Sequence, residues 1–330
     1  MSGDLAVVGA GSWGTALAIA LSRRFDSVQL WARDPGRAAE IQSVHENRRY
    51  LPGFILPSQV SVSSELELSL KNAQIVIAVI PSSHFRPVLN TVKRHIRRGA
   101  RLVSATKGLE DPSQCRMSQV MTEVLPEHPF TVLSGPTFAR EIAAGEPAAM
   151  VIAAEELWLA EEMQRALATP ALRLYASTDV VGTEIGAALK NVIAIGAGIC
   201  SGLGLGSNSV AALVTRGLSE ITRLAVSMGG SPRTLSGLAG LGDLVLTATG
   251  DLSRNRFVGV QLGQGHQLKQ IQAGMIMIAE GIATCRAAHA LALQKNMDLP
   301  IVNQMYQVLY EAKEPRQAIR ELMERPLTRE

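Results

Sequence analysis

Cysteine is scarce in this chain: Cys115, Cys200 and Cys285 are the three among 330 residues, odd in number and far apart. With no C-x-x-C pair, neither a disulfide framework nor a zinc site is suggested, and no metal is expected. Such a chain suits a reducing compartment, the cytoplasm. An excess of one charge is lacking too. The 32 Lys and Arg stand against 29 Asp and Glu, a formal net charge of +3. No basic stripe with interleaved aromatics runs through the sequence, so nucleic acid is not an expected partner. No uninterrupted apolar run reaches the roughly 18 residues of a membrane span. The apolar stretch from Ile185 to Leu205 is broken by Lys190, Asn191 and repeated glycines, and a buried helix without membrane insertion is expected there. Near the N-terminus, no basic segment leads into an apolar run and a cleavage site.

What the chain does have begins at Leu5. The apolar run Leu5-Ala6-Val7-Val8 leads into Gly9-Ala10-Gly11-Ser12-Trp13-Gly14, followed by an Ala- and Leu-rich helical run from Thr15. Strand, tight turn and helix in that order are the context that G-x-G-x-x-G needs to bind a dinucleotide. Gly9 permits the turn, Gly11 lets backbone approach a pyrophosphate, and Gly14 lets helix pack on strand. The helix start then offers free N–H groups and a favourable dipole to the anion.

Further apolar runs read as strands: Val28–Ala32, Gln74–Ile80, Arg101–Thr106, Phe130–Ser134, and short ones near 149–153 and 172–175. Ligands of such sheets lie outside the strands' carboxyl ends. The second strand ends at Arg33-Asp34-Pro35. Asp34 is either the acid for a ribose 2′-hydroxyl or a helix cap before Pro35, whereas Arg33 suits a 2′-phosphate; the order leans to NADPH. The polar stretch Glu46–Gly53 is a loop, either solvated or touching a ligand. Pro81-Ser82-Ser83-His84 should flank the cofactor, with His84 a surface residue at a helix start. Lys107-Gly108 and Gly135-Pro136-Thr137-Phe138-Ala139 end two strands at the same crevice.

Beyond Thr178 the strand signal stops and helical periodicity takes over, placing a domain boundary near 178–185. Residues 1–180 are expected to bind the dinucleotide and residues 181–330 the substrate. Lys190 sits among small and apolar residues in a long helix, as a buried structural cation or a working one. Asp243, in Gly240-Leu241-Gly242-Asp243-Leu244, is either a helix cap or its partner. Ser253-Arg254-Asn255-Arg256 suits a phosphate or a solvated turn. Glu280, isolated after Met275–Ala279, needs a partner or a ligand. The charged stretch 313–330 is expected to form an exposed helix and a frayed end.

These pieces occur in one order across positions 9 to 281. Together with Leu189-Lys190-Asn191 and Glu280-Gly281 they resemble the bacterial NAD(P)-dependent glycerol-3-phosphate dehydrogenase family. That family often has Thr-Cys where this chain has Thr247-Ala248, at a position without a catalytic role. The resemblance implies an α/β fold, a Rossmann-type doubly wound sheet followed by an all-helical C-terminal domain, with the active site between them. It implies reversible reduction of dihydroxyacetone phosphate to sn-glycerol 3-phosphate with NADPH or NADH, supplying glycerophospholipid synthesis, in a cytoplasmic homodimer. Carried over, Lys190 is the proton donor and acceptor. Lys107, Gly135, Thr137, Lys190, Asp243, Ser253, Arg254 and Asn255 form the substrate site. Gly9, Gly11, Ser12, Trp13, Gly14, Arg33, Lys107, Ala139, Arg254, Ile278 and Glu280 contact the cofactor. The alternatives are a hydroxy-acid dehydrogenase acting on carboxylates and an NADPH-binding redox sensor without turnover.

Overall fold

Eight strands form one sheet: β1 (Asp4–Val8), β2 (Ser27–Trp31), β3 (Val60–Ser63), β4 (Ile75–Ala78), β5 (Arg101–Ser104), β6 (Phe130–Ser134), β7 (Ala148–Ala153) and β8 (Leu172–Ser177). Their order is 3-2-1-4-5-6-7-8. The pairings among β1 to β6 are parallel, β7 runs antiparallel to β6, and β8 is parallel to β7. This computed structural model describes residues 3–326, so the expected frayed end at 327–330 lies outside the described residues. Strand β3 was not expected. Its alternation of Val60 and Val62 with serines is short but has period two, and both valines are buried.

Alternation along β1 explains the helices on both faces. Leu5 and Val7 belong to one core with α1 (Ser12–Leu21), α2 (Pro35–Val44) and, further along, α7 (Leu157–Leu167). Ala6 and Val8 belong to another, against α3 (Leu66–Leu70), α4 (Phe85–Val92) and α5 (Met117–Val124). The short α6 (Ala139–Ala144) packs beside α1. Strand order reverses between β1 and β4, the switch point where doubly wound sheets bind ligands.

After β8 the described residues form helices without strands: α8 (Val180–Gly202), α9 (Ser207–Ser227), α10 (Pro232–Leu235), a π-helical turn at Leu238–Gly242, α11 (Asp243–Thr249), α12 (Arg254–Gly263), α13 (Leu268–Ala273), α14 (Glu280–Gln294), α15 (Pro300–Tyr310) and α16 (Pro315–Met323). Asp179 opens α8 by accepting the Gly182 N–H at 2.7 Å. Helix α8 is long and apolar enough to cross a membrane, but 89% of its most apolar window is buried inside the protein, as the interrupted sequence suggests. Helices α9, α11, α12 and α14 surround it. The α8 and α12 backbones touch through glycines: a Cβ on Gly259 would sit 1.9 Å from Ile195 O, and one on Gly198 2.1 Å from Arg256 O. That contact brings the start of α12 beside Asn191.

Two joints tie the sheet to the helices. Leu109, just past β5, is fully buried in the helical core rather than in the sheet's cores. Glu184 of α8 accepts from the Ser118 N–H and from Arg116 Nη1, both at 2.7 Å, at the start of α5. Desolvation raises the Glu184 carboxyl above its ordinary value, against the pull of Arg116. Neither joint was visible in the sequence.

Candidate active site

The glycine turn behaves as its spacing suggests, for three separable reasons. Gly9 has φ +121°, and a Cβ there would lie 2.3 Å from Val79 O. A Cβ on Gly14 would lie 1.9 Å from Gly9 O. Gly11 is different: its backbone is extended and a Cβ would meet nothing within 4 Å. The protein's own packing does not require glycine at that position, whereas an approaching pyrophosphate would. No side chain caps α1, whose first residues are Ser12 and Trp13, and the Trp13 Nε1 is buried without a partner among the described residues. The turn therefore fits a dinucleotide.

Asn47 was missed. It is buried, and its Nδ2 donates to Ala10 O at 3.0 Å and to Thr15 Oγ1 at 2.8 Å, clasping the turn from the Glu46–Gly53 loop. An asparagine in a polar loop carries no sequence signal for that role. At the end of β2, Asp34 caps α2 by accepting the Arg37 N–H at 2.7 Å. Arg33 is exposed and has no side-chain partner among the described residues. His84 is exposed beside α4, as expected of a surface residue.

The crevice at the ends of β5 and β6 contains a charge cluster. Asp243 is fully buried and takes one lysine on each oxygen: Lys107 Nζ lies 2.9 Å from Oδ2, and Lys190 Nζ donates to Oδ1. Asp243 is the first residue of α11 and makes no cap hydrogen bond, so the partner reading holds and the cap reading does not. A π-helical turn, Leu238–Gly242, immediately precedes it, a feature frequent at functional sites. Lys107 also donates to Gly135 O at 2.8 Å and Thr137 Oγ1 at 3.3 Å, which gathers four of the expected substrate residues. All three of its ammonium hydrogens are thereby engaged. Lys190 donates to Asp243 and to Thr247 Oγ1 at 2.9 Å, leaving one hydrogen without an acceptor among the described residues. Thr247 was also missed; it lies four residues beyond Asp243 on the same helix face, a spacing that would have found it. Burial pushes the Lys190 ammonium down to about 7, opposed by Asp243 and assisted by the Lys107 charge.

Glu280, at the start of α14, faces the same crevice. Desolvation pushes its carboxyl up to about 7, against Arg254, the Ser82 N–H and both lysines. Its Oε2 is buried without a partner, and a Cβ on Gly108 would lie 2.9 Å away. Ser82, buried in the Pro81 turn, lies against the same glycine and donates its N–H to Glu280, which puts that turn beside Glu280. Arg254 Nη1 donates to Ile278 O at 2.9 Å, holding the segment before α14.

The Ser253-Arg254-Asn255 stretch is more structural than its composition suggests. Ser253 Oγ caps α12, accepting the Arg256 N–H at 3.2 Å. Asn255 Nδ2 donates to Asn191 Oδ1 at 2.9 Å while its Oδ1 accepts the Gly281 N–H at 2.9 Å. It joins α8, α12 and α14, with one amide hydrogen to spare. Ala139 begins α6 next to the Gly135–Thr137 turn. Arg33 follows β2, and among the described residues it makes no hydrogen bond or ion pair with the lysine cluster.

Residues 4–160 match the family profile described as NAD-dependent glycerol-3-phosphate dehydrogenase N-terminus, and residues 179–320 match the corresponding C-terminus profile. A glycerol-3-phosphate dehydrogenase (NAD(P)+) of Koribacter versatilis is 50% identical over 331 residues, covering 99% of this chain and 98% of its own. The crystal structure of glycerol-3-phosphate dehydrogenase from Coxiella burnetii superposes with a TM-score of 0.94 at 38% identity, covering 98% of this chain and 99% of that one. A ketopantoate reductase from Ralstonia eutropha shares the fold at 14% identity, with a TM-score of 0.63 and coverage of 96% and 99%. Matched over both halves by the family's profiles and over nearly its whole length by such relatives, the chain belongs to the NAD-dependent glycerol-3-phosphate dehydrogenase family.

Proposed function

We propose that this enzyme reversibly reduces dihydroxyacetone phosphate to sn-glycerol 3-phosphate with NAD(P)H, supplying glycerophospholipid synthesis, and that Lys190 is its acid and base. The observation carrying the assignment is the buried Asp243 carboxylate shared by Lys107 and Lys190, with one Lys190 hydrogen left over. Residues 1–180 bind the dinucleotide and 181–330 carry the substrate side. The enzyme is taken to be a cytoplasmic homodimer that inserts into no membrane.

The bound dinucleotide supplies the hydride to the ketone carbon. The developing alkoxide needs a proton, and Lys190 has the spare N–H to give it. An ammonium lowered to about 7 transfers that proton near neutrality far more readily than an ordinary lysine. In the reverse direction the neutral amine takes the proton back. Lys107 has its hydrogens engaged, so it acts first through charge, depressing Lys190 while anchoring Asp243 to Gly135 and Thr137. Arg254, at the start of α12, supplies a forked cation for the substrate phosphate, with the spare Asn255 hydrogen beside it. Binding energy at that remote group orients the reacting carbon. Gly9, Gly11, Ser12, Trp13, Gly14, Ala139, Ile278 and Glu280 line the dinucleotide's path.

The test follows NADPH oxidation by absorbance with dihydroxyacetone phosphate and with dihydroxyacetone. Fast turnover confined to the phosphorylated ketone supports the assignment. Intact cofactor binding without turnover on either ketone sinks it and revives the sensor reading.

A further inference from the structure

Helix α8 carries glycine in its interior, where glycine is disfavoured relative to alanine. At Gly186 the reason lies across the helix surface. A Cβ there would sit 2.6 Å from Ala239 O, in the π-helical turn, and 3.2 Å from Leu235 Cδ1. The turn is as tight on its other side. A Cβ on Gly240 would sit 2.1 Å from Leu235 O and 2.4 Å from Leu235 Cα. Leu235 and Ala239 are fully buried at this meeting of α10, the turn and α8.

Both contacts lie close to the charge cluster in sequence. Lys190 follows Gly186 by four residues on α8, so the two share a helix face. Asp243 follows Ala239 by four and begins α11. Lys190 donates to Asp243 and, at 2.9 Å, to Thr247 Oγ1, so both of its acceptors belong to the helix that the turn leads into. Lys107 holds the other Asp243 oxygen from the sheet side, braced on Gly135 O and Thr137 Oγ1.

We propose that Gly186 and Gly240 are positioning residues for the acid–base step: lacking side chains, they let the turn close on α8 until Asp243 and Thr247 reach Lys190. The inference rests on the reading of Lys190 as acid and base. Ordinary van der Waals contact begins at 3.4 Å, so a methyl group at Gly186 drives turn and helix apart by about 0.8 Å. Hydrogen-bonded N–O distances span only about 0.5 Å, so a movement of that size breaks or bends the bonds to Lys190. Among the described residues, the charged groups facing Lys190 are Asp243 of α11, Lys107 after β5 and Glu280 at the start of α14. Of these only Asp243 is carried by the turn. It favours the ammonium, so its retreat makes Lys190 give up its proton at lower pH.

The test compares Gly186→Ala and Gly240→Ala with Gly202→Ala, a control at the far end of α8 whose Cβ would meet Val260 O at 2.2 Å. All three should lower Tm. Titration of the Lys190 ammonium by NMR, with isotope-labelled lysine side chains and the signal assigned by its loss in Lys190→Met, reads the midpoint without turnover. In Gly186→Ala and Gly240→Ala the midpoint, and the reductive pH limb with it, is expected to move down by at least about half a pH unit, a part of the roughly 1–3 units that an adjacent opposite charge supplies. In Gly202→Ala both should stay in place. The Gly186→Ala contact is the least severe of the three, so the comparison stands on it and the control if Gly240→Ala does not fold. An unchanged midpoint in the test variants, or an equal shift in the control, overturns the positioning role and leaves Lys190 as acid and base. A wild-type midpoint that does not track the reductive limb overturns the reading of Lys190 instead.

Discussion

Lys190 and Asp243 form an ion pair almost closed to water: the lysine side chain is 6% exposed and the carboxylate 0%. Burying a single ammonium there would be costly, and the shared carboxylate offsets that cost only in part, because it also serves Lys107. The outcome is a lysine whose charged form is barely favoured near neutrality. Replacing Lys190 by Ala is expected to lower kcat by roughly 10²-fold or more, the scale of lost acid–base catalysis. NAD(P)H binding, followed by fluorescence titration, should stay near normal. Near wild-type turnover would remove Lys190 from the role.

The direction of the Lys190 shift sets a pH profile. The ammonium that donates in ketone reduction is present below about 7 and is lost as pH rises through it, so reductive kcat should fall above that value while alcohol oxidation rises. Asp243 holds the lysine up and Lys107 presses it down. Asp243→Asn should therefore move the reductive limb to lower pH, and Lys107→Met should move it higher. Glu280 also titrates near 7. Glu280→Gln should keep the limb and move it somewhat to lower pH, because Lys190 loses a favourable negative neighbour; its disappearance in that variant would assign the limb to Glu280 instead.

Gly11 and Gly14 should respond in opposite ways to the same methyl group. Gly14→Ala places a carbon 1.9 Å from Gly9 O, so backbone must shift, at a cost of about 1–3 kcal/mol seen as a lower Tm. Gly11→Ala meets nothing and has an ordinary φ, so Tm should hold or rise slightly. Its NAD(P)H affinity should nonetheless fall at least about tenfold. Unchanged affinity in Gly11→Ala would take the pyrophosphate away from this turn.

The sheet, the long buried helix and the change to helices near Val180 were legible because each rests on local periodicity: continuous β-branched runs for buried strands, and an Asp179 cap ahead of an apolar helix. The lysine pair was half legible. A lysine among small residues and an aspartate among apolar ones each demand a partner, but nothing local says that Asp243 would serve two. Asn47, Glu184 and Leu109 were illegible, since each matters through a residue far away in sequence. Asn255 shows a second role that its neighbours do not announce. Its neighbours suggest a phosphate site, yet its amide is largely taken up by Asn191 and Gly281.

On the proposed function, that occupancy leaves Arg254 as the main candidate for phosphate recognition. Arg254→Ala should lower kcat/KM for dihydroxyacetone phosphate by about 2–5 kcal/mol, the usual effect of truncating one partner of a buried charge pair. Arg254 also holds Ile278 O, so part of any loss could come from a loosened segment before α14 rather than from the phosphate. Dihydroxyacetone separates the two causes. It lacks the phosphate, so the variant's penalty should largely vanish with it if Arg254 binds that group. A penalty of equal size on both ketones would mean that Arg254 works by positioning Ile278 and Glu280, and that the phosphate is held elsewhere.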